Sequence, residues 1–121
     1  MKRILIVDDQ DAIRKMLRLT LSGQYELHEA ADTSEAWEAL RRLRPDAVIL
    51  DIMMPGELDG YQLCEKLRTD RELRGTHVVM VTARGQEADR QRGMAAGADA
   101  YFVNSTRPCS AEANNEPKQP R

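Results

Sequence analysis

Short apolar runs punctuate this chain at regular intervals, and three of them run into polar residues at the same end. Ile4-Leu5-Ile6-Val7 leads into Asp8-Asp9, Ala47-Val48-Ile49-Leu50 into Asp51, and Val78-Val79-Met80-Val81 into Thr82. Runs that are apolar at every position mark strands buried on both faces, as in a parallel sheet. Between the runs the spacing turns helical. The pattern predicts a strand over Arg3 to Val7 and a helix over Gln10 to Ser22, with Ile13, Leu17 and Leu21 one turn apart and Gly23 as its stop. A more exposed strand follows over Tyr25 to Ala30. The second helix is predicted over Thr33 to Leu43, with Thr33 or Ser34 as its cap and Ala36, Trp37 and Leu40 on one face. Pro45 breaks the chain before a strand at Asp46 to Leu50, and a loop runs from Ile52 to Asp59. A helix at Gly60 to Thr69 buries Leu63, Cys64 and Leu67. The pattern closes with a strand at His77 to Val81, a polar helix at Gln86 to Ala96 and a short fifth strand at Ala100 to Val103.

Strict alternation of strand and helix implies right-handed crossovers and an α/β fold: a doubly wound parallel sheet of five strands with helices on both faces. In the strand order 2-1-3-4-5, strands 1 and 3 are neighbours where the winding reverses, and ligands bind at that crevice. Asp8, Asp9 and Asp51 converge there. Three close carboxylates repel one another, and a hard divalent cation with oxygen ligands relieves that repulsion.

Composition narrows the reading further. The 121 residues are one domain, large enough for a core. A net charge of −2 gives no electrostatic case for nucleic acid or an anionic membrane surface. No apolar stretch approaches the ~20 residues of a membrane-spanning helix. Met1-Lys2-Arg3 passes straight into a strand, with no apolar signal segment, so the expected location is cytoplasmic. Cys64 and Cys109 have no metal spacing and read as free thiols. His28 and His77, on different strands, read as partly exposed polar residues. At residue 104 the composition changes: Asn104 to Arg121 contains no Val, Ile, Leu, Met, Phe, Trp or Tyr and holds Pro108, Pro117 and Pro120. Residues 1–103 are therefore expected to form the domain and 104–121 a disordered tail.

Val7-Asp8-Asp9, then Asp51-Ile52-Met53-Met54-Pro55, then Asp59-Gly60, Val81-Thr82-Ala83 and Gly97-Ala98-Asp99-Ala100-Tyr101 stand in this order on this alternation. In this the chain resembles the receiver domain of bacterial two-component response regulators. The resemblance implies a flavodoxin-like fold and a stand-alone, Mg²⁺-dependent phosphoacceptor, not a turnover enzyme, supplied by a histidine kinase or phosphotransfer protein. It implies Asp51 as the aspartate that forms an acyl phosphate. It implies Mg²⁺ held by Asp8, Asp9 and Asp51 with the backbone carbonyl of Met53. Thr82 would donate its hydroxyl to a phosphoryl oxygen, and Tyr101 would be the aromatic that changes orientation with it. The plainer readings stay open: Asp8 or Asp9 as a cap on the helix near Gln10 or Asp11, Thr82 as a β-branched strand residue, and Tyr101 as an aromatic packed permanently at the sheet edge.

The chain departs from the family pattern in two places. Where receivers carry lysine after strand 5, usually followed by proline, this chain has Asn104-Ser105. Asn104 can offer a neutral hydrogen bond but no charge, and charge-assisted bonds are about twice as strong. The family's last amphipathic helix also has no counterpart in residues 104–121. Its absence would leave part of the sheet and a face of the first helix uncovered, a surface open to a homodimer. A shifted reading frame, an altered terminus, a truncated variant and an arm that folds on a partner all fit that composition. The competing function is therefore a switching-impaired interaction module of receiver type. An aspartyl-phosphate hydrolase is disfavoured because Met53 stands where its second aspartate belongs. A flavin carrier is disfavoured because Asp8-Asp9 would repel the flavin phosphate.

Overall fold

A computed structural model describes residues 2–52, 59–82 and 87–103, with the side chains of Thr82 and Glu87 left aside. The elements are β1 (Arg3–Val7), α1 (Asp11–Leu21), β2 (Glu26–Ala30), α2 (Thr33–Leu43), β3 (Ala47–Asp51), α3 (Gly60–Thr69), β4 (His77–Thr82), α4 (Glu87–Ala96) and β5 (Ala100–Val103). All strand pairs are parallel, and the order across the sheet is β2-β1-β3-β4-β5. The doubly wound arrangement expected from the alternation is therefore the one adopted.

Alternation along the strands sorts the core. Leu5, Val7, Val48, Leu50, Val78 and Met80 point to one face and form a continuous cluster with Ala36, Leu40, Leu63, Cys64 and Leu67 of α2 and α3 and with Ala96 of α4. Ile4 and Ile6, the alternate residues of β1, are buried with Ile13 of α1 on the other face. Strand boundaries move by one residue from the sequence expectation: β3 takes in Asp51 and β4 takes in Thr82. The physical reason is cross-strand pairing, since Asp51 lies opposite Val81 and Thr82 opposite Val103.

One cap is corrected. Neither Thr33 nor Ser34 caps α2. Asp32 does, its carboxylate accepting from the N–H of Glu35 at 2.7 Å, while the Glu35 carboxylate accepts from the N–H of Ala31 at 2.7 Å. Asp32 is extended and lies one residue earlier, so its carboxylate reaches the N3 amide; Thr33 is already helical and buried.

At the N-terminal edge of the strands, Arg68 ties four backbone and side-chain groups together. Its guanidinium donates to the carbonyls of Gly97 (2.8 Å), Arg74 (2.7 Å) and Thr76 (2.7 Å) and to the Asp99 carboxylate (2.7 Å). Gly97 has φ +111°, and a Cβ there would stand 2.7 Å from Arg68 Cγ, so glycine serves both the turn and the clasp. Cys64 is a buried free thiol whose pKa is pushed up to about 11, chiefly by burial, so it is poorly reactive at neutral pH. The predicted 104–121 tail, Cys109 and the loop residues 53–58 lie outside the described residues.

Candidate functional site

The switch point between β1 and β3 carries the acidic residues. Val7 pairs with Leu50, so Asp8 and Asp51 leave the sheet side by side, and Asp9 follows from the β1–α1 turn. Carboxylate oxygens of Asp8, Asp9 and Asp51 all lie within 4.8 Å of one another. Asp8 and Asp51 are almost fully buried, at 3% and 1% exposure, whereas Asp9 is exposed. Two deep carboxylates and one at the rim make a cup with an open mouth.

The local chain explains how the cup is held. Asp8 Oδ1 accepts from the N–H of Gln10 at 2.8 Å, which turns the chain into α1, and the N–H of Asp8 donates to the carbonyl of Ala30 at 3.1 Å. Asp8 thus turns the chain toward α1 with one oxygen and also belongs to the acidic trio; it does not cap the helix, whose N-cap is Gln10 without a side-chain cap bond. Arg14 braces this turn. Its guanidinium donates to the Asp8 carbonyl (2.5 Å), to Asp11 (2.9 Å) and to Glu29 on β2 (2.9 Å). On the β3 side, Asp59 caps α3 through a reciprocal box with Gln62. A Cβ on Gly60 would lie 2.5 Å from the Ile52 Cα and 3.0 Å from the Asp51 carbonyl, so only glycine lets α3 start this close to the acidic end of β3.

Sequence reasoning missed the supporting roles of Arg14 and Gly60. The signal for Arg14 was its place one turn into α1, beyond the acidic pair. Its partner Glu29 lies on another strand and is invisible to local pattern.

Thr82 ends β4, one residue past the level of Asp51, at the same edge of the sheet. Tyr101 lies opposite Met80 and packs half-buried against the core. Gly93 of α4 makes room for it: a Cβ at that position would approach Met80 Sδ to 2.9 Å and Tyr101 Cδ2 to 3.0 Å. The ring therefore sits inward, under α4. His28 is half-buried against Glu26, and His77 is largely exposed near Asp99, both far from the acidic cup. Met53 and Asn104 lie outside the described residues.

The donor set fits magnesium. Magnesium bonds oxygen at ~2.0–2.1 Å and keeps several waters, so a trio whose oxygens lie within 4.8 Å of one another can hold it with one or two carboxylates bonded directly and the rest through water. The donors are all hard oxygens, as the ion requires.

Residues 4–108 match the family described as the response regulator receiver domain. The chain belongs to that family. It is 41% identical over 106 residues to the transcriptional regulatory protein SrrA of Staphylococcus aureus, an alignment covering 87% of this chain and 42% of that protein. The receiver thus spans less than half the length of that curated relative. Among solved structures it is similar to a putative response regulator from Chloroflexus aurantiacus (TM-score 0.80, 38% identity, 84% of each chain). It is also similar to the chemotaxis protein CheY4 of Vibrio cholerae (TM-score 0.79, 33% identity, 85% of this chain and 86% of that one). A third likeness is to the BeF3-activated DrrB receiver domain (TM-score 0.77, 25% identity, 85% and 84%). The sheet order and acidic crevice are those expected of a response regulator receiver of two-component systems. None of the described helices is long and apolar enough to cross a membrane.

Proposed function

We propose that this receiver takes a phosphoryl group on Asp51 from a phosphohistidine of a kinase or phosphotransfer protein. The observation that carries the reading is the buried Asp51 carboxylate in the β1/β3 crevice, within 4.8 Å of Asp8 and of the exposed Asp9. An Asp51 oxygen attacks phosphorus as the phosphorus–nitrogen bond of the donor breaks, and the imidazole recovers a proton. Magnesium, held by Asp8, Asp9, Asp51 and the Met53 carbonyl, would neutralise charge on the phosphoryl oxygens. Burial of Asp51 limits the water that competes with transfer, and the open side at Asp9 admits the donor.

Thr82 is proposed to donate its hydroxyl to the phosphoryl group, with Asn104 offering a neutral amide where the family has lysine. Tyr101, inward against α4, is the candidate for the aromatic that responds. The domain unit is 1–103, followed by a tail, in a cytoplasmic protein that receives phosphate without turning over a substrate of its own. Intact-mass analysis with a small acyl-phosphate donor and Mg²⁺ tests this. Wild type gains one phosphoryl group and Asp51→Asn gains none; equal modification of both would remove Asp51 from its role.

A further inference from the structure

Two of the three carboxylates in the cup stand on consecutive residues of one turn. Asp8 is fixed to the sheet by its N–H, which donates to the Ala30 carbonyl at 3.1 Å, and by its Oδ1, which accepts from the Gln10 N–H at 2.8 Å. Asp9 is exposed, so packing contributes little to where its carboxylate stands. The peptide that joins the two residues contributes more. A peptide is planar, so fixing its carbonyl oxygen fixes the plane and the direction in which Asp9 departs from Asp8. That oxygen, the carbonyl of Asp8, accepts from Arg14 Nη1 at 2.5 Å.

Each nitrogen of the Arg14 guanidinium has its own acceptor, on a different part of the fold. Besides Nη1 on Asp8, Nε donates to Glu29 of β2 and Nη2 to Asp11 in the first turn of α1, both at 2.9 Å. The Arg14 side chain is only 15% exposed. Its pair with Asp11 counts for little, because the Asp11 side chain is 78% exposed and solvent screens it. Glu29 is the anchor: it is less exposed, and Arg18 Nε holds its other oxygen at 2.5 Å. A continuous path therefore runs from the edge strand β2, through α1, to the peptide between two members of the acidic trio. We propose that Arg14 is the positioning residue of the cation cup: by holding the Asp8 carbonyl it fixes the Asp8–Asp9 peptide and so sets the affinity for a divalent cation. This rests on the reading of the cup as a magnesium site. The planar fork matters as well as the charge. Lysine carries the same charge on one nitrogen at the end of a flexible stem, without the geometry that spreads these three bonds.

Titration of the full chain with Mg²⁺, followed by the amide shifts of the β1–α1 turn, tests this without any phosphoryl donor. Arg14→Ala and Arg14→Lys should each raise the Mg²⁺ dissociation constant by about 10–100-fold, the usual cost of losing a group that orients a metal ligand. Arg18→Ala removes the other partner of Glu29 and touches neither Asp8 nor Asp9, so it should lower stability and leave Mg²⁺ affinity where it is. With a small acyl-phosphate donor, the Arg14 variants should need more Mg²⁺ for half-maximal modification and reach the wild-type rate once Mg²⁺ saturates. Wild-type affinity in Arg14→Lys would overturn the proposal, and this variant carries the test if circular dichroism shows Arg14→Ala to be unfolded. Equal weakening by Arg18→Ala would overturn it too, because the effect would then be a general loosening of α1. Asp9→Asn separates this failure from failure of the cup. If Asp9→Asn weakens Mg²⁺ binding and the Arg14 variants do not, the cup stands and the role of Arg14 falls. If Asp9→Asn binds as wild type does, or wild type does not bind, the cup reading fails and the proposal falls with it.

Discussion

The two ends of this sheet treat their carboxylates in opposite ways. At the C-terminal edge Asp8, Asp9 and Asp51 are gathered within 4.8 Å of one another. At the N-terminal edge Asp99 sits alone among donors: the N–H of Val78 at 2.8 Å, the Arg68 guanidinium at 2.7 Å and His77 Nδ1 at 3.6 Å. One end crowds like charge around a crevice, and the other neutralises charge to hold a turn. The contrast separates a site from a fastener. Like charges gathered together favour a bound cation, while a matched carboxylate and guanidinium need no ligand to make sense.

The largest expected effect belongs to the C-terminal edge. Phosphoryl transfer is mostly positioning and electrostatics, and deleting one stabilising donor commonly costs about 10²–10³ in rate. If Asn104 stands where a lysine would meet the phosphoryl oxygens, Asn104→Lys should raise the rate of Asp51 modification by about that factor. Mass-resolved kinetics with a small acyl-phosphate donor would show it. A wild type already as fast as the variant would mean that the acidic cup and its cation suffice.

At the other edge the effect should fall on stability and leave chemistry alone. Arg68→Ala removes four hydrogen bonds from a largely buried guanidinium and leaves the Asp99 carboxylate with the Val78 N–H but without its guanidinium partner. A loss of about 2–4 kcal/mol is expected, since bonds to charged groups contribute about 1.5–3 kcal/mol each and do not add fully. Urea unfolding at neutral pH measures it. A fall in phosphorylation rate per folded molecule would show instead that the two ends are coupled.

Much of this contrast is legible in the order of residues along the chain, and the part that is not has a physical cause. The apolar runs of β1, β3 and β4 end in polar residues, and alternation alone puts those ends at one edge. Asp8, Asp9 and Asp51 therefore converge by pattern as they do in space. Arg68 gives no such sign. It stands in the last turn of a helix like many basic residues, and its partners lie 6 to 31 residues away, beyond any helical or strand period. The α2 cap was misplaced for a subtler reason. Asp32, Thr33 and Ser34 are all good cap residues, and the spacing of Asp32 to Glu35 is the box that should decide among them. Gly60 and Gly93 are legible as residues but not as close approaches, because what they make room for comes from other elements.

A smaller effect of opposite sign is expected when the crowded end is neutralised. Without a cation, Asp51→Asn should leave stability unchanged or raise it by about 1 kcal/mol, the scale of one unit-charge repulsion at about 4 Å in water. Mg²⁺ should raise the melting temperature of wild type more than that of the variant. Thermal unfolding with and without the ion reads both, and equal shifts would mean that the ion does not use Asp51.

The smallest effect concerns pH and reads the fastener directly. Burial alone would push the Asp99 carboxyl upward, but the Val78 N–H, the Arg68 guanidinium and nearby His77 outweigh it and hold the group below the ordinary aspartate value. A carboxyl whose folded pKa is depressed contributes stability that is fully present above its unfolded pKa of about 3.9 and is lost as pH falls through the folded value. Asp99→Asn should therefore be less stable than wild type at neutral pH, with the gap narrowing below about pH 4. The contribution is modest because the Asp99 side chain is 39% exposed and solvent screens it. Glu29, held low by Arg18 and Arg14, loses its own contribution over a similar acid range in both proteins, so the difference between the two unfolding curves isolates Asp99. Curves that stay parallel through pH 3 would mean that the clasp works by hydrogen-bond geometry alone and that its charge contributes nothing.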